Sequence, residues 1–339
     1  MKAMVLRAPW ELAPEEVTRP GVDTPDVMVR VTHSGICGTD FKIYSGAIAV
    51  SYPRIMGHEM IGEVVATGDG GALRPGDRVI VDPELYCGDC FHCRMGQTHL
   101  CPRGVLLGRD ANGGFAEYVT APASHVFGLP NGIESRTAPL IQVLTTCLHA
   151  QRQIGIAAGE SVVVYGLGVT GQLHVQLAKA RGARPIIGVT RSAEKRALAE
   201  TLGADVTVAG GDGALQRVRD ATEGRGADVI VETTGALPSV AAAIDMARAG
   251  GRLLLFGIIT AREGALPFYD LYFKELALIG ARVATSEDYP DSIALVERGI
   301  VRLEPLLSDV MPLEALKQAI DLLGTDNAQR MKIIMNHEV

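Results

Sequence analysis

The stretch Val162-Val-Val-Tyr-Gly-Leu-Gly-Val-Thr-Gly171 puts a G-x-G-x-x-G turn directly behind a run of apolar residues and directly before a helical pattern that continues to Arg181. Gly166, Gly168 and Gly171, with Leu167, Val169 and Thr170 between them, permit a tight turn that a pyrophosphate can approach closely. The unbonded N–H groups and the dipole at the start of the following helix favour an anion there. A bare glycine pattern is weak evidence; strand, turn and helix in this order point to a dinucleotide.

Working outward from Gly171, the same rhythm repeats. Residues 162–165, 185–189, 206–208, 229–231, 253–256 and 276–279 read as strands, with helical patterns at 171–181, 193–202 and 239–249 between them. This alternation predicts an α/β fold with a parallel, doubly wound sheet. Upstream, the chain to about residue 143 consists of short β-like runs such as 27–31, 62–66 and 78–81, punctuated by Gly, Pro and Asp, the texture of a β-rich domain with long loops. Downstream of about residue 284, two amphipathic stretches (289–298 and 313–323) and an apolar run, 332–335, are too short for a domain and are expected to pack on the first one. The predicted division is 1–143 with 284–339, and 144–283, two cores being the usual solution for 339 residues.

At the end of the second strand, NAD-binding folds of this kind carry an acid that holds the adenosine ribose hydroxyls. Here the segment reads Gly188-Val-Thr190-Arg191-Ser192, with Thr190 in the acid's place. An acid would repel a 2′-phosphate, whereas Thr190 and Ser192 can donate hydrogen bonds to it and Arg191 can pair with its charge. NADP is therefore expected over NAD. The plainer reading of Arg191 is an exposed arginine after a strand, with Lys195 and Arg196 as alternative positive charges on the next helix. One or two charge-assisted bonds at ~1.5–3 kcal/mol each suffice for at least tenfold selectivity.

In the first domain, Cys87-Gly-Asp-Cys90-Phe-His-Cys93 and then Cys101 place four of the six cysteines in one loop with C-x2-C-x2-C-x7-C spacing. Two-residue gaps let consecutive thiolates converge on one tetrahedral ion, and a closed four-sulfur shell makes a structural zinc site. An iron–sulfur cluster has compatible ligands, but no second cysteine group accompanies it. His92 and His99 lie in the same loop and read as surface histidines. Two further clusters, Cys37-Gly-Thr-Asp40 and Gly57-His58-Glu59-Met-Ile-Gly62-Glu63, each set a zinc ligand beside a carboxylate able to orient it. Taken alone, a cysteine is most often a small buried hydrophobe and a histidine a satisfied core residue.

Together these motifs, in this order, resemble the zinc-containing medium-chain dehydrogenases, and the resemblance runs from Met1 to the closing strand. Within them the Cys37-Gly-Thr-Asp-Phe-Lys-Ile-Tyr44 and Gly114-Phe-Ala-Glu-Tyr118 segments are most similar to the polyol and threonine dehydrogenases. The resemblance implies a GroES-like catalytic domain beside a Rossmann cofactor domain, and two zinc ions per chain, one catalytic and one structural. It implies Cys37 and His58 as catalytic-zinc ligands, Asp40 as the residue holding His58, Thr39 as the proton relay from the substrate hydroxyl, and Glu59 as a residue that approaches the metal. Zinc lowers the pKa of a coordinated water from ~16 to ~7, and an alcohol gains comparably. The family's third ligand is a Cys or Glu where this chain has Gln142; Cys147, five residues later, is the runner-up. Lys42 stands where many relatives have a histidine that passes the proton to solvent.

Composition bounds the remaining readings. With 47% hydrophobic and 21% charged residues and a net charge of −7, the basic footprint of a nucleic-acid binder is missing. No uncharged apolar run approaches membrane-spanning length, and the N-terminus reaches acidic, proline-containing sequence too soon for a signal peptide. A cytoplasmic enzyme with neither membrane nor nucleic acid as partner is expected, acting on a small alcohol or polyol and assembled as a homodimer or homotetramer. The leading expectation is hydride transfer between a secondary hydroxyl of a polyol, sugar or related alcohol and NADP. Threonine or amino-alcohol oxidation is the alternative within the class. A nucleotide-binding module that keeps only the structural zinc is the alternative outside it, motivated by Gln142. Tyr44 and Phe115 are candidate pocket walls by the same resemblance.

Overall fold

The computed structural model describes residues 1–68, 72–325 and 330–338; residues 69–71, 326–329 and 339, which fall in the predicted first-domain segments, lie outside the described residues. The Val-rich run forms the strand Val162–Tyr165, the interior of a six-stranded parallel sheet. From one edge the strands are Val206–Ala209, Ile186–Thr190, Val162–Tyr165, Ala227–Glu232, Ala247–Leu255 and Ala277–Gly280. In chain order this is 3-2-1-4-5-6, the doubly wound arrangement, and each of the six predicted runs contributes a strand. Because alternate side chains leave opposite faces, Val162 and Val164 enter one core with Val175, Val229 and Leu254, while Val163 enters another with Ile187, Ile230 and Val240. The strand order reverses beside Val162–Tyr165, which opens a crevice between its end and that of Ala227–Glu232.

One predicted helix is shortened: the 239–249 pattern is helical only over Leu237–Met246. Ala247 already pairs with Ala227 in the next strand, which then absorbs an irregularity around Gly250 at φ 70° before resuming register at Arg252. The helices Ala214–Ala221 and Phe268–Phe273 and the strand Leu307–Pro312 have no counterpart in the sequence reading.

The other domain is built on the strand Asp26–Gly35. It pairs antiparallel with Glu59–Thr67, Gly35 standing opposite Glu59. Arg78–Val81 extends the sheet with Val81 opposite Met60. On the other side, Lys332–Asn336 returns from the far end of the chain with Ile334 opposite Gly35, and Leu307–Pro312 runs parallel to it. Leu6, Ile36, Ile43, Met56, Phe115, Leu316, Ile320 and Met335 are buried together beneath these strands. Between the domains the helix Leu140–Ile154 runs unbroken across the predicted 143/144 division. It shares a core with Leu173, Tyr289, Ile293 and Leu306, so elements on both sides pack on it. Among the described residues no helix is long and apolar enough to cross a membrane.

Candidate functional site

Three strand ends converge on one point. With Gly35 opposite Glu59, Cys37 lies two residues beyond one partner and His58 one residue before the other, so the register of a single strand pair brings the two motifs together. Cys37 caps the helix Gly38–Tyr44, and Asp40 in its first turn accepts the Cys37 N–H at 2.8 Å. The other Asp40 oxygen faces His58 Nδ1 at 3.5 Å, with both groups buried. Cys37, His58 and Glu59 offer ligand atoms that all lie within 4.8 Å of one another. One sulfur, one imidazole and one carboxylate at that spacing fit a tetrahedral zinc. Burial alone would push the Cys37 thiol up, but a hydrogen bond from His58 and its charge hold it below the ordinary value, toward the thiolate a metal requires. Burial likewise lowers His58, and Asp40 with Cys37 outweighs it and holds the imidazole well above its ordinary value.

Glu59 has a partner that no local pattern announced. Lys332 Nζ lies 2.6 Å from its Oε1 and 2.5 Å from its Oε2, and also donates to the Ile36 carbonyl at 3.0 Å. Both side chains are buried. The carboxylate fills the space where residue 35 would carry a side chain: a Cβ there would meet Glu59 Oε2 at 2.1 Å, so a larger residue would have to displace the carboxylate from Lys332. Of the other residues of this region, Thr39 is half-buried in the first turn of the capped helix and Lys42 is half-buried in its last.

Gln142 is half-buried in the first turn of Leu140–Ile154, and no side-chain partner is described for it. Cys147 is not its substitute. It is fully buried, its thiol is pushed up by burial, and its Sγ faces the Thr170 carbonyl at 3.8 Å, which turns it toward the cofactor domain.

The four-cysteine lobe is closed on itself. Its sulfurs lie 3.4 Å (Cys90–Cys93 and Cys87–Cys101), 3.8 Å (Cys87–Cys93) and 3.9 Å (Cys90–Cys101) apart. A tetrahedral zinc with Zn–S bonds of about 2.3 Å requires sulfurs about 3.8 Å apart, and a disulfide requires about 2 Å. The lobe therefore fits a metal, and all four thiols are unpaired. The Cys93 N–H bonded to Cys90 Sγ at 3.4 Å draws that thiol down to about 6. His92 bonds Gln97, whereas His99 meets His149 edge-on with ring centroids 4.4 Å apart; neither belongs to the four-sulfur cluster.

In the cofactor domain, Gly166 has φ 95°, and a Cβ on Gly171 would lie 1.9 Å from the Gly166 carbonyl, so both positions exclude side chains. Thr233, just past the neighbouring strand, braces the turn by donating to the carbonyls of Tyr165 and Gly166 at 3.1 and 2.9 Å. Gly168 caps the helix Val169–Ala180 and faces open space, which leaves room for a pyrophosphate at the helix N-terminus. Leu167 is buried against Gly188, so only its backbone can face a ligand. At the second strand end Thr190 is half-buried and Arg191 exposed, with no acid paired to Arg191 among the described residues. Arg196 is occupied in donating to the Thr190 and Arg191 carbonyls at 2.9 and 2.8 Å. Ser192 caps the next helix by accepting the Lys195 N–H and donates to Glu194 at 2.9 Å.

Known proteins resemble this chain in sequence and fold. Residues 23–131 match the family model of the alcohol dehydrogenase GroES-like domain, and residues 169–298 that of zinc-binding dehydrogenases. D-arabitol-phosphate dehydrogenase of Enterococcus avium is 30% identical over 100% of this chain and 98% of its own. Sorbitol dehydrogenase of Halalkalibacterium halodurans is 31% identical over 91% of this chain and 92% of its own. A crystal structure of a zinc-binding dehydrogenase from Sinorhizobium meliloti 1021 bound to NADP superposes with a TM-score of 0.91 at 31% identity, covering 99% of this chain and 98% of that one.

Proposed function

Because the chain belongs to the zinc-type medium-chain alcohol dehydrogenase family, we propose that it transfers a hydride between a secondary hydroxyl of a polyol, sugar or related alcohol and NADP. The observation that carries this reading is the convergence of Cys37, His58 and Glu59 in a two-domain chain whose second domain has a nucleotide turn. Cys37 and His58 would hold the catalytic zinc, with Glu59 and Gln142 as the further candidates, and Cys87, Cys90, Cys93 and Cys101 a structural one. Zinc bound there supplies a Lewis acid that makes the substrate hydroxyl easier to deprotonate. Asp40 orients His58; Thr39, in the same helical turn, takes the hydroxyl proton; Lys42 or solvent receives it. The turn Gly166–Leu167–Gly168–Val169–Thr170–Gly171 holds the pyrophosphate through backbone N–H groups. Thr190 and Arg191 read the 2′-phosphate, with Lys195 beside them. Ser192 and Arg196 fix the shape of that strand end, because their polar groups are engaged with Glu194 and with the backbone.

The reading includes a reducing, cytoplasmic setting, in keeping with six unpaired cysteines. It also includes a homodimer or homotetramer. Phe268, Tyr269, Tyr272 and Phe273 are each more than 60% exposed and lead into Ala277–Gly280, an edge strand of the parallel sheet. Exposed aromatic side chains grouped beside a free sheet edge suit a surface that a second subunit covers.

The deciding experiment is reduction of NADP+ and NAD+ by the zinc-loaded protein over polyols, aldoses, secondary alcohols and threonine, with zinc counted per chain. Turnover of a polyol or sugar with preference for NADP+ supports the reading. Turnover of threonine alone would move it to the amino-alcohol class. One zinc per chain with no turnover would favour a binding module.

A further inference from the structure

Glu84 is a buried acid that neither zinc cluster nor the nucleotide turn uses. Its place follows from register. Val81 stands opposite Met60 in an antiparallel pair, so the chain leaving Val81 runs back alongside Glu59 and His58. Glu84 then opens the short strand Glu84–Leu85, paired with Leu106, and the loop beyond that partner closes on the residue before His58 through Gly114 N–H to the Gly57 carbonyl at 2.9 Å. The Glu84 backbone is pinned, its N–H donating to Asp82 Oδ1 at 3.0 Å.

The side chain reaches from the first domain to the cofactor domain. Arg282, just past the last strand of the cofactor sheet, donates to Glu84 Oε1 at 3.1 Å. The other oxygen, Oε2, is buried and has no hydrogen-bond partner among the described residues. Arg282, Arg109, Asp110 and His58 make up its charged surroundings, and burial pushes the carboxyl up against the opposing pull of the two arginines. An unpaired buried carboxylate oxygen is costly, and native proteins retain one mainly where something else completes it. Clefts between domains that carry a few oriented polar groups are where small ligands bind.

We propose that Glu84 Oε2 accepts a second hydroxyl of the substrate, beside the reacting carbinol at the Cys37–His58 centre, and thereby selects polyhydroxylated substrates over simple secondary alcohols. This rests on the dehydrogenase reading above. Arg282 holds the acid from the opposite domain by Oε1 and leaves Oε2 for the ligand. A substrate without the second hydroxyl strands that oxygen, which is how a site built around an acceptor discriminates.

The test compares the zinc-loaded wild type with Glu84→Leu and Glu84→Gln on a matched pair: a polyol and a secondary alcohol with the same carbon count and one hydroxyl. Loss of one charge-assisted hydrogen bond raises the polyol KM in Glu84→Leu about ten- to a hundredfold, with the mono-alcohol kinetics within about threefold of wild type. Glu84→Gln, which keeps an amide oxygen, falls between. Arg282 is solvent-accessible, so neither variant leaves a buried cation, and unchanged zinc content and NADPH affinity confirm the fold. Equal losses on both substrates, or an unchanged polyol KM, overturn the assignment of Glu84 while leaving the dehydrogenase reading intact. A wild type that prefers the mono-alcohol also overturns it. A wild type idle on every alcohol in the panel sinks both.

Discussion

Replacing Lys332 with methionine keeps most of the side-chain volume and removes the ammonium that lies against both carboxylate oxygens of Glu59. The pair is one of the most enclosed in the molecule, at 5% and 1% side-chain exposure, and the ammonium lies 2.5 and 2.6 Å from the two carboxylate oxygens. An exposed pair at that distance would be worth less than about 1 kcal/mol. A buried one behaves differently, because removing one member strands the other's charge, at a cost of roughly 3–5 kcal/mol. The Ile36 carbonyl also loses its donor, adding about 1 kcal/mol. Lys332→Met should therefore lower stability by about 4 kcal/mol, read as a drop in apparent melting temperature on the order of 10 °C. Far-UV circular dichroism over a urea series is the assay, since the single tryptophan, Trp10, is exposed and far in sequence from the pair. Glu59→Gln in the Lys332→Met background removes the stranded charge and should recover most of the loss. Unfolding of Lys332→Met within about 1 kcal/mol of wild type, or a double variant no more stable than the single one, would show that Glu59 does not depend on the Lys332 charge.

Four further outcomes follow from the geometry. Cys93→Ser should reduce bound zinc by one ion per chain and lower the melting temperature, measured by elemental analysis and thermal unfolding, because a closed sulfur shell contributes its binding free energy to folding. His58→Ala should remove the other zinc and abolish turnover while NADPH still quenches or enhances fluorescence at the wild-type midpoint. Arg191→Gln should weaken NADP+ binding about tenfold or more and leave NAD+ unchanged, by titration of both cofactors. Asp82, buried and bonded to Ser286 at 2.6 Å, is pushed up from 3.8 to about 7, mainly by desolvation. A carboxyl raised in the folded state adds stability that is complete below its unfolded pKa and is lost as pH rises through about 7. The rise from 3.8 to about 7 corresponds to about 4 kcal/mol. Asp82→Asn should flatten the decline of stability between pH 4 and pH 7, and an unaltered pH profile would contradict the assignment.

What was legible in the sequence follows from the range over which each feature is encoded. The interior strands of the parallel sheet, such as Val162–Tyr165, Ile186–Thr190 and Ala227–Glu232, are buried on both faces, so each reads as a near-continuous apolar run, and glycine turns punctuate them. Helix ends were less legible: at Ala247 a strand takes over from a helical pattern because a partner, Ala227, is in place, and no residue near 247 announces that pairing. The four-cysteine lobe was readable because its ligands lie within fifteen residues and their chemistry is rare.

The three-residue centre was half readable for the same reason. Cys37 and His58 are uncommon residue types beside acids, so each motif stood out, but their meeting depends on Gly35 pairing with Glu59. Lys332 reaches that centre across 273 residues, and Glu84 meets Arg282 across 198. Lysine, glutamate and arginine are ordinary surface residues, and in the sequence Lys332 is only the first letter of an apolar strand. Their meaning comes from burial, which is a property of the assembled sheet and of the packing between the two domains. Residues that bind a metal are thus found by type, whereas residues that set the charge around it or choose among substrates are found by asking which buried charge has a partner and which does not. By that criterion both oxygens of Glu59 lie against the Lys332 ammonium, whereas Glu84 keeps one oxygen away from Arg282 for a ligand.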